Sequence, residues 1–280
     1  VSKNTQQLLE ILDLSIRFTG TGKALAVDHV NLKILRGQAI GIVGESGSGK
    51  STLGFAIAGL LNRNEVEIEG SIFFENEDLL QIESEKFQRI RGSKIGYIFQ
   101  DAASSLNPLL TIGNQLIQPL MANNGEKKDA ARKIAQELLA MVEIPEPKKR
   151  FNQYPHELSG GMKQRVVIAA ALARSPMLLI ADEPTTALDV TVQAQIIDLL
   201  LRLKQSLSMS LVFISHDIGI VSRIADCIAV MRNGKILEYG PVRQVLQEPS
   251  EEYTKMLLAN IPKLKYTTKS TTHSFWGDHD

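Results

Sequence analysis

The sequence predicts an α/β domain: a mainly parallel sheet, an antiparallel β region at the N-terminal end and an inserted helical segment. Three observations carry that expectation. Short apolar runs of buried-strand length recur at Ala39–Val43, Met177–Ala181, Leu211–Ser215 and Cys227–Met231. Between the second and third, Val192, Ile196, Leu199, Leu200, Leu203 and Leu207 keep helical spacing, and strands alternating with helices imply a parallel sheet. From Leu106 to about Leu172 strand-like runs vanish, and helical stretches such as Asp129–Val142 replace them.

Taken in order, Leu9–Ile16 and Val30–Ile34 alternate apolar and polar side chains, the two-residue period of half-exposed strands. Ala39–Val43 is apolar throughout, as a strand buried on both faces is, and it runs straight into a glycine-rich loop. Beyond Ser51, Leu53, Ile57, Leu60 and Leu61 have helical spacing, which puts the loop between a strand and a helix. Lys94–Gln100 reads as a further strand. The helical subdomain is expected at about 104–175, inserted in one domain covering 1–262. Residues 263–280 are polar, Thr/Lys-rich and aperiodic, the pattern of a flexible tail.

The 280 residues are enough for a large core. Lys plus Arg equals Asp plus Glu at 31 each, which argues against a strongly basic nucleic-acid binder. Cys227 is the single cysteine; it excludes an intramolecular disulfide framework and a Cys-rich metal site, and a reducing compartment is expected. Val1–Leu8 lacks the apolar core of a signal peptide, and no apolar run reaches the ~20 residues of a membrane span. A soluble chain is expected, with any membrane role exercised through a partner.

Gly44-Glu45-Ser46-Gly47-Ser48-Gly49-Lys50-Ser51 fits G-x-x-x-x-G-K-[ST], followed by Thr52. Its glycines let the backbone curl so that successive N–H groups, with the helix N-terminus beyond, form an anion cradle. Lys50 adds a point charge for the β- and γ-phosphates of ATP, and the Ser51 hydroxyl is placed to ligate Mg²⁺. The segment resembles the phosphate loop of P-loop NTPases, and a P-loop NTPase (RecA-like) core is expected.

The strand Leu178–Ala181 ends in Asp182 and Glu183. A DE pair alone is more often an exposed turn. After a buried strand in a chain with a phosphate loop, Asp182 is expected to hold the magnesium and Glu183 to act as general base on the attacking water. His216 follows the next apolar strand and emerges at the same edge, where it can sense the γ-phosphate.

Leu158-Ser159-Gly160-Gly161-Met162 resembles the LSGGQ signature of ATP-binding-cassette (ABC) ATPases, with Met162 departing at the fifth position. Ser159 opens a helix there. The resemblance covers roughly residues 8 to 260. It implies that Ser159, Gly160 and Gly161 complete the nucleotide site of a second subunit. It makes Gln100 the Q-loop glutamine, a magnesium ligand facing a membrane subunit, Ala187-Leu188-Asp189 the D-loop, and His216 the switch histidine. Phe18 stands where the family's adenine-stacking aromatic, more often Tyr, is found; an ordinary core or edge Phe is the other reading.

A finer resemblance is to the ATPases of peptide and nickel importers. Phe99-Gln100-Asp101-Ala102-Ala103-Ser104-Ser105-Leu106-Asn107-Pro108 is similar to their FQDP-x-SSLNP stretch, and Pro249-Ser250-Glu251-Glu252-Tyr253-Thr254 to their P-x-HPYT, with Glu251-Glu252 in place of His-Pro. That resemblance implies a second ABC ATPase chain, two integral membrane permease subunits, an extracytoplasmic substrate-binding protein, and a peripheral place on the cytoplasmic face of the inner membrane. No nucleic acid partner is expected. Many members carry a cysteine-rich C-terminal segment resembling an iron–sulfur site. With Cys227 alone, no iron–sulfur cluster is expected, and His273 and His279 read as part of a solvated tail. Uptake of oligopeptides, dipeptides or antimicrobial peptides is the expected use; nickel or metal-chelate import is the alternative, and a soluble non-transport ABC ATPase the distant one.

Overall fold

Residues 7–19, 24–124, 127–186 and 188–259 are described by the computed structural model of the chain. In order they form β1 (Gln7–Phe18), β2 (Val27–Leu35), β3 (Ala39–Val43), α1 (Lys50–Ala58), β4 (Val66–Phe74), β5 (Glu77–Asp78), α2 (Ser84–Lys94) and β6 (Ile95–Ile98). The helical stretch follows: α3 (Ala102–Ser105), α4 (Ile112–Asn124), α5 (Lys128–Met141), α6 (Pro147–Arg150), a 3-10 turn at Pro155–Glu157, and α7 (Gly160–Leu172). Then come β7 (Leu178–Asp182), α8 (Val190–Ser206), β8 (Ser210–Ser215), α9 (Ile218–Ile224), β9 (Cys227–Arg232), β10 (Lys235–Pro241), α10 (Val242–Gln247) and α11 (Glu252–Ala259).

The strands make two sheets. One is antiparallel, in the order β2-β1-β4-β5; the other runs β10-β9-β3-β8-β7-β6 and is parallel except for β10. Alternation in the parallel strands explains how they are covered. Ile40, Ile42, Ile180, Val212 and Ile214 face a cluster containing α1 and the antiparallel sheet. Ala39, Val43, Leu179, Ala181, Leu211 and Phe213 join a second cluster, which runs without a break through α4, α5, α7 and α8. The sheet is thus buried on both faces, as continuous apolar runs require.

The expected parallel sheet, antiparallel N-terminal region and helical stretch are all present. Three local expectations are corrected. Lys94 ends a helix rather than starting a strand, and Phe99 and Gln100 lie beyond β6, in the loop. The helix after the glycine loop stops at Ala58, before Leu60 and Leu61, because Gly59 takes a left-handed cap that returns its N–H to Ala56 and Phe55. Leu207 lies just past α8, as its C-cap. The expected tail, with His273 and His279, lies outside the described residues, as does Ala187 of the D-loop stretch.

Candidate active site

Register brings the chemistry to one edge. Val43 is paired with Ser215, Asp182 with Ile214, and Ile98 with Ala181, so the parallel strands end nearly level. The loops after them carry Gly44, His216, Glu183 and Gln100. Ligands of open α/β sheets bind outside such carboxyl ends.

In the glycine loop, Gly47 and Gly49 have φ of 80° and 101°, a region side chains disfavour. At Gly49 a Cβ would also lie 2.1 Å from the carbonyl oxygen of Ala26. Gly49 is the N-cap of α1, so the open N–H groups of that helix's first turn, which includes Ser51 and Thr52, border the loop. Lys50 is buried, and its Nζ donates to neutral oxygens: the carbonyls of Gly44 (2.9 Å) and Glu45 (2.7 Å) and the Ser48 hydroxyl (3.3 Å). Burial lowers its pKa; the carboxylates of Glu183, Asp182 and Glu45 act the other way. Ser46, between these residues, is exposed.

Asp182 ends β7 with both oxygens engaged. Oδ1 accepts from the Ser51 hydroxyl at 3.0 Å and Oδ2 from the Tyr97 hydroxyl at 2.9 Å. Burial raises the Asp182 pKa, and these two hydrogen bonds partly offset it. Tyr97, on β6, packs its ring 5.3 Å from Phe55 and 4.8 Å from Phe99. Burial, then the Asp182 charge, pushes its phenol far up.

Glu183 breaks from the strand with φ of 45°, a left-handed conformation that is uncommon outside glycine and often found at working sites. Its N–H donates to Ile214 O at 2.9 Å, which anchors it to β8. Its Oε2 accepts from Thr186 Oγ1 at 2.8 Å and Gln100 Nε2 at 3.3 Å, and lies 3.4 Å from His216 Nδ1. Glu183, Gln100 and His216 are thus brought together.

The signature segment is placed differently. Ser159 is the N-cap of α7 and accepts the Met162 N–H at 3.4 Å. A Cβ on Gly161 would lie 2.7 Å from Val192 of α8, whereas one on Gly160 would meet only Leu188, at 3.7 Å. Among the described residues, no hydrogen bond or ion pair joins Ser159–Gly161 to Gly44–Thr52. Phe18 ends β1, half-buried against the cluster around α1.

Three contributors escaped the sequence reading: Tyr97, Thr186 and Tyr253, whose hydroxyl accepts the Glu45 N–H at 3.0 Å. Alternation along β6 was the available signal for Tyr97. For Tyr253, 208 residues from its partner, there was none beyond the motif it sits in.

A loop of this build, fed by a buried strand and faced by a carboxylate from the same sheet, defines the P-loop nucleoside triphosphatases. Within that class, residues 27–186 match the ABC transporter family model. The chain is 48% identical over 261 residues to the oligopeptide transport ATP-binding protein OppD of Bacillus subtilis, covering 92% of this chain and 73% of that one. It is 49% identical over 262 residues to the peptidoglycan transport ATP-binding protein YejF of Agrobacterium fabrum, covering 93% of this chain and 48% of the relative. Among solved structures, the dimeric post-hydrolysis state of the ATP-binding cassette MJ0796, bound to ADP and Pi, superposes with a TM-score of 0.74 at 32% identity, over 84% of this chain and 99% of that one. The chain belongs to the ABC transporter family and is one of its ATP-hydrolysing cassettes.

Proposed function

We propose that this chain powers uptake of peptides across a cytoplasmic membrane, working from the cytoplasmic face beneath two permease subunits and paired with a second ATPase chain. The observation that carries the cargo is the identity to OppD, which extends over nearly the whole chain. An extracytoplasmic binding protein would deliver the peptide. Residues 1–262 act as the ATPase domain, with the helical stretch at 104–175 carrying the signature segment, and 263–280 as a tail.

The residue roles in this reading are as follows. Gly44–Thr52 takes the phosphates, with N–H groups of the loop and of the start of α1 as donors and Lys50 as the charge. Phe18 offers an aromatic face to the adenine. Ser51 and Asp182, 3.0 Å apart, fit a magnesium ion. They are hard oxygen donors, and the described residues contain no group of three or more His, Cys, Asp or Glu that would form a cage. Mg²⁺ favours such sites, with few protein ligands and the rest from phosphate and water. Gln100 donates its amide nitrogen to Glu183 at 3.3 Å, and its carbonyl oxygen would ligate the ion. When bound, the ion would neutralise charge developing on the phosphates.

Glu183 accepts a proton from water as the water oxygen attacks the γ-phosphorus and ADP departs. Thr186 and Gln100 orient that carboxylate, and His216, 3.4 Å from it, would contact the γ-phosphate. Ser159-Gly160-Gly161 reaches the nucleotide of the partner ATPase, and the partner's equivalent reaches this one.

The relative named for peptidoglycan transport supports a second reading, in which the cargo is a peptidoglycan fragment. Reconstitution with the co-purifying membrane subunits and binding protein decides. Labelled short peptides should be taken up with ATP and should stimulate hydrolysis. Stimulation by peptidoglycan fragments alone favours the second reading, and stimulation by a nickel chelate without any response to peptides overturns both.

A further inference from the structure

The stretch Pro249–Thr254 has no part in the mechanism above, yet it reaches the phosphate loop. Tyr253, on α11, is buried. Its ring lies under the Arg232 guanidinium, 4.6 Å from the centroid. Arg232 ends β9 next to Met231, whose carbonyl oxygen lies 2.0 Å from where a Cβ on Gly44 would sit. Glu238 of β10 accepts the N–H groups of Ser250 (2.9 Å) and Glu251 (3.3 Å), which fixes the turn before α11. The phenol is therefore held by β9 and β10 as well as by its own helix.

What it holds is one peptide unit. The carbonyl of Gly44 accepts from Lys50 Nζ at 2.9 Å, and the N–H of the same unit, on Glu45, donates to Tyr253 Oη at 3.0 Å. In a trans peptide these two groups point in opposite directions. The Gly44–Glu45 unit is thus pinned between Lys50 on one side and Tyr253 on the other. Rotating it would move an acceptor of the lysine whose charge the phosphates meet.

We propose that Tyr253 is a positioning residue for nucleotide binding: its hydroxyl sets the orientation of the Gly44–Glu45 peptide and, through the Gly44 carbonyl, the place of the Lys50 ammonium. The C-terminal helix α11 thereby contributes to ATP affinity. The inference rests on the reading of Gly44–Ser51 as the phosphate cradle. A purely structural Tyr253 would anchor α11 and leave affinity untouched.

The test is Tyr253→Phe, which keeps the ring and its Arg232 contact and removes only the hydroxyl. Equilibrium binding of a fluorescent ATP analogue and thermal unfolding are measured side by side, with Lys50→Ala as reference. Loss of one hydrogen bond should weaken ATP binding about 3- to 10-fold. A folded Tyr253→Phe that binds ATP like the wild type overturns the proposal, even if it melts earlier. Lys50→Ala separates the two readings. If it loses binding while Tyr253→Phe does not, only the positioning role fails; if it binds normally, the cradle fails too. Should Tyr253→Phe not fold, hydrogen exchange of the Glu45 amide in the nucleotide-free wild type decides. Protection supports the pinned peptide, and exchange at the rate of an open loop amide refutes it.

Discussion

The two glycine-rich segments of this chain, Gly44–Ser51 and Ser159–Gly161, are built to opposite plans. The first is finished from within. Gly44 and Gly49 fit against Met231 and Ala26, Gly47 is required by its φ of 80°, the lysine is buried among its own carbonyls, and Tyr253 pins one of the loop's peptides. The second has a cap hydrogen bond and a tight approach to Val192 at Gly161, while Gly160 has open space within the chain. A glycine that its own fold does not demand is explained by something outside the fold. The difference is that the phosphate side of the site is pre-organised by this chain, whereas Gly160 faces open space within it, as the proposed contact with a second subunit requires.

The sharpest challenge to that contrast lies on the phosphate side. Glu183→Gln should lower ATP turnover by about 100-fold or more while leaving ATP binding intact; wild-type turnover in steady-state assays would remove Glu183 from its role. Gly160→Ala probes the other side. A Cβ there meets nothing closer than 3.7 Å, so the variant should fold and bind ATP like the wild type. Hydrolysis in the assembled transporter should still fall, on the order of 10-fold, because a sub-ångström obstruction misplaces the donors facing the partner's nucleotide. Unchanged hydrolysis would mean that no second subunit closes on this segment.

The smallest effect concerns Asp182. Burial raises its folded-state pKa, so the ionised carboxylate opposes folding. Its contribution favours the folded state below the unfolded value and is lost as pH rises through the folded one. Asp182→Asn should therefore raise the unfolding temperature of the nucleotide-free protein at neutral pH, by about 2–4 °C. The gain should shrink as pH falls towards ~4, the ordinary carboxyl range, even though hydrolysis is lost. A lower melting temperature at neutral pH would show that the Ser51 and Tyr97 hydrogen bonds outweigh the burial cost.

Much of this arrangement was legible in the sequence, for identifiable reasons. Ala39–Val43 was read with its true ends because a strand covered on both faces must be apolar throughout. Glu183 and His216 could be anticipated because parallel strands deliver their loops to one edge, and Gln100 from its resemblance to the family's Q-loop. What escaped depends on contacts distant in sequence. β4 is a strand with Gly70 at φ of 96°, where a Cβ would strike the Asp13 carbonyl at 2.4 Å, so its glycine answers to β1 rather than to a turn of its own. α2 has a sparse apolar face, with Phe87 and Ile90 as its members in the core, and its periodicity is correspondingly faint. Tyr253 could be seen as part of a motif, but not as the partner of Glu45.

The apolar cluster on the far face of the parallel sheet has a consequence for chimeras. It runs from Ile112, Leu116 and Leu139 in the helices to Ala181, Phe213 and Ile228 in the strands. A helical stretch transplanted alone from a relative would bring its knobs without the matching holes. Graft junctions drawn at 104 and 175 therefore cut through one interlocked interior, and workable exchanges would carry the facing strand residues along with the helices.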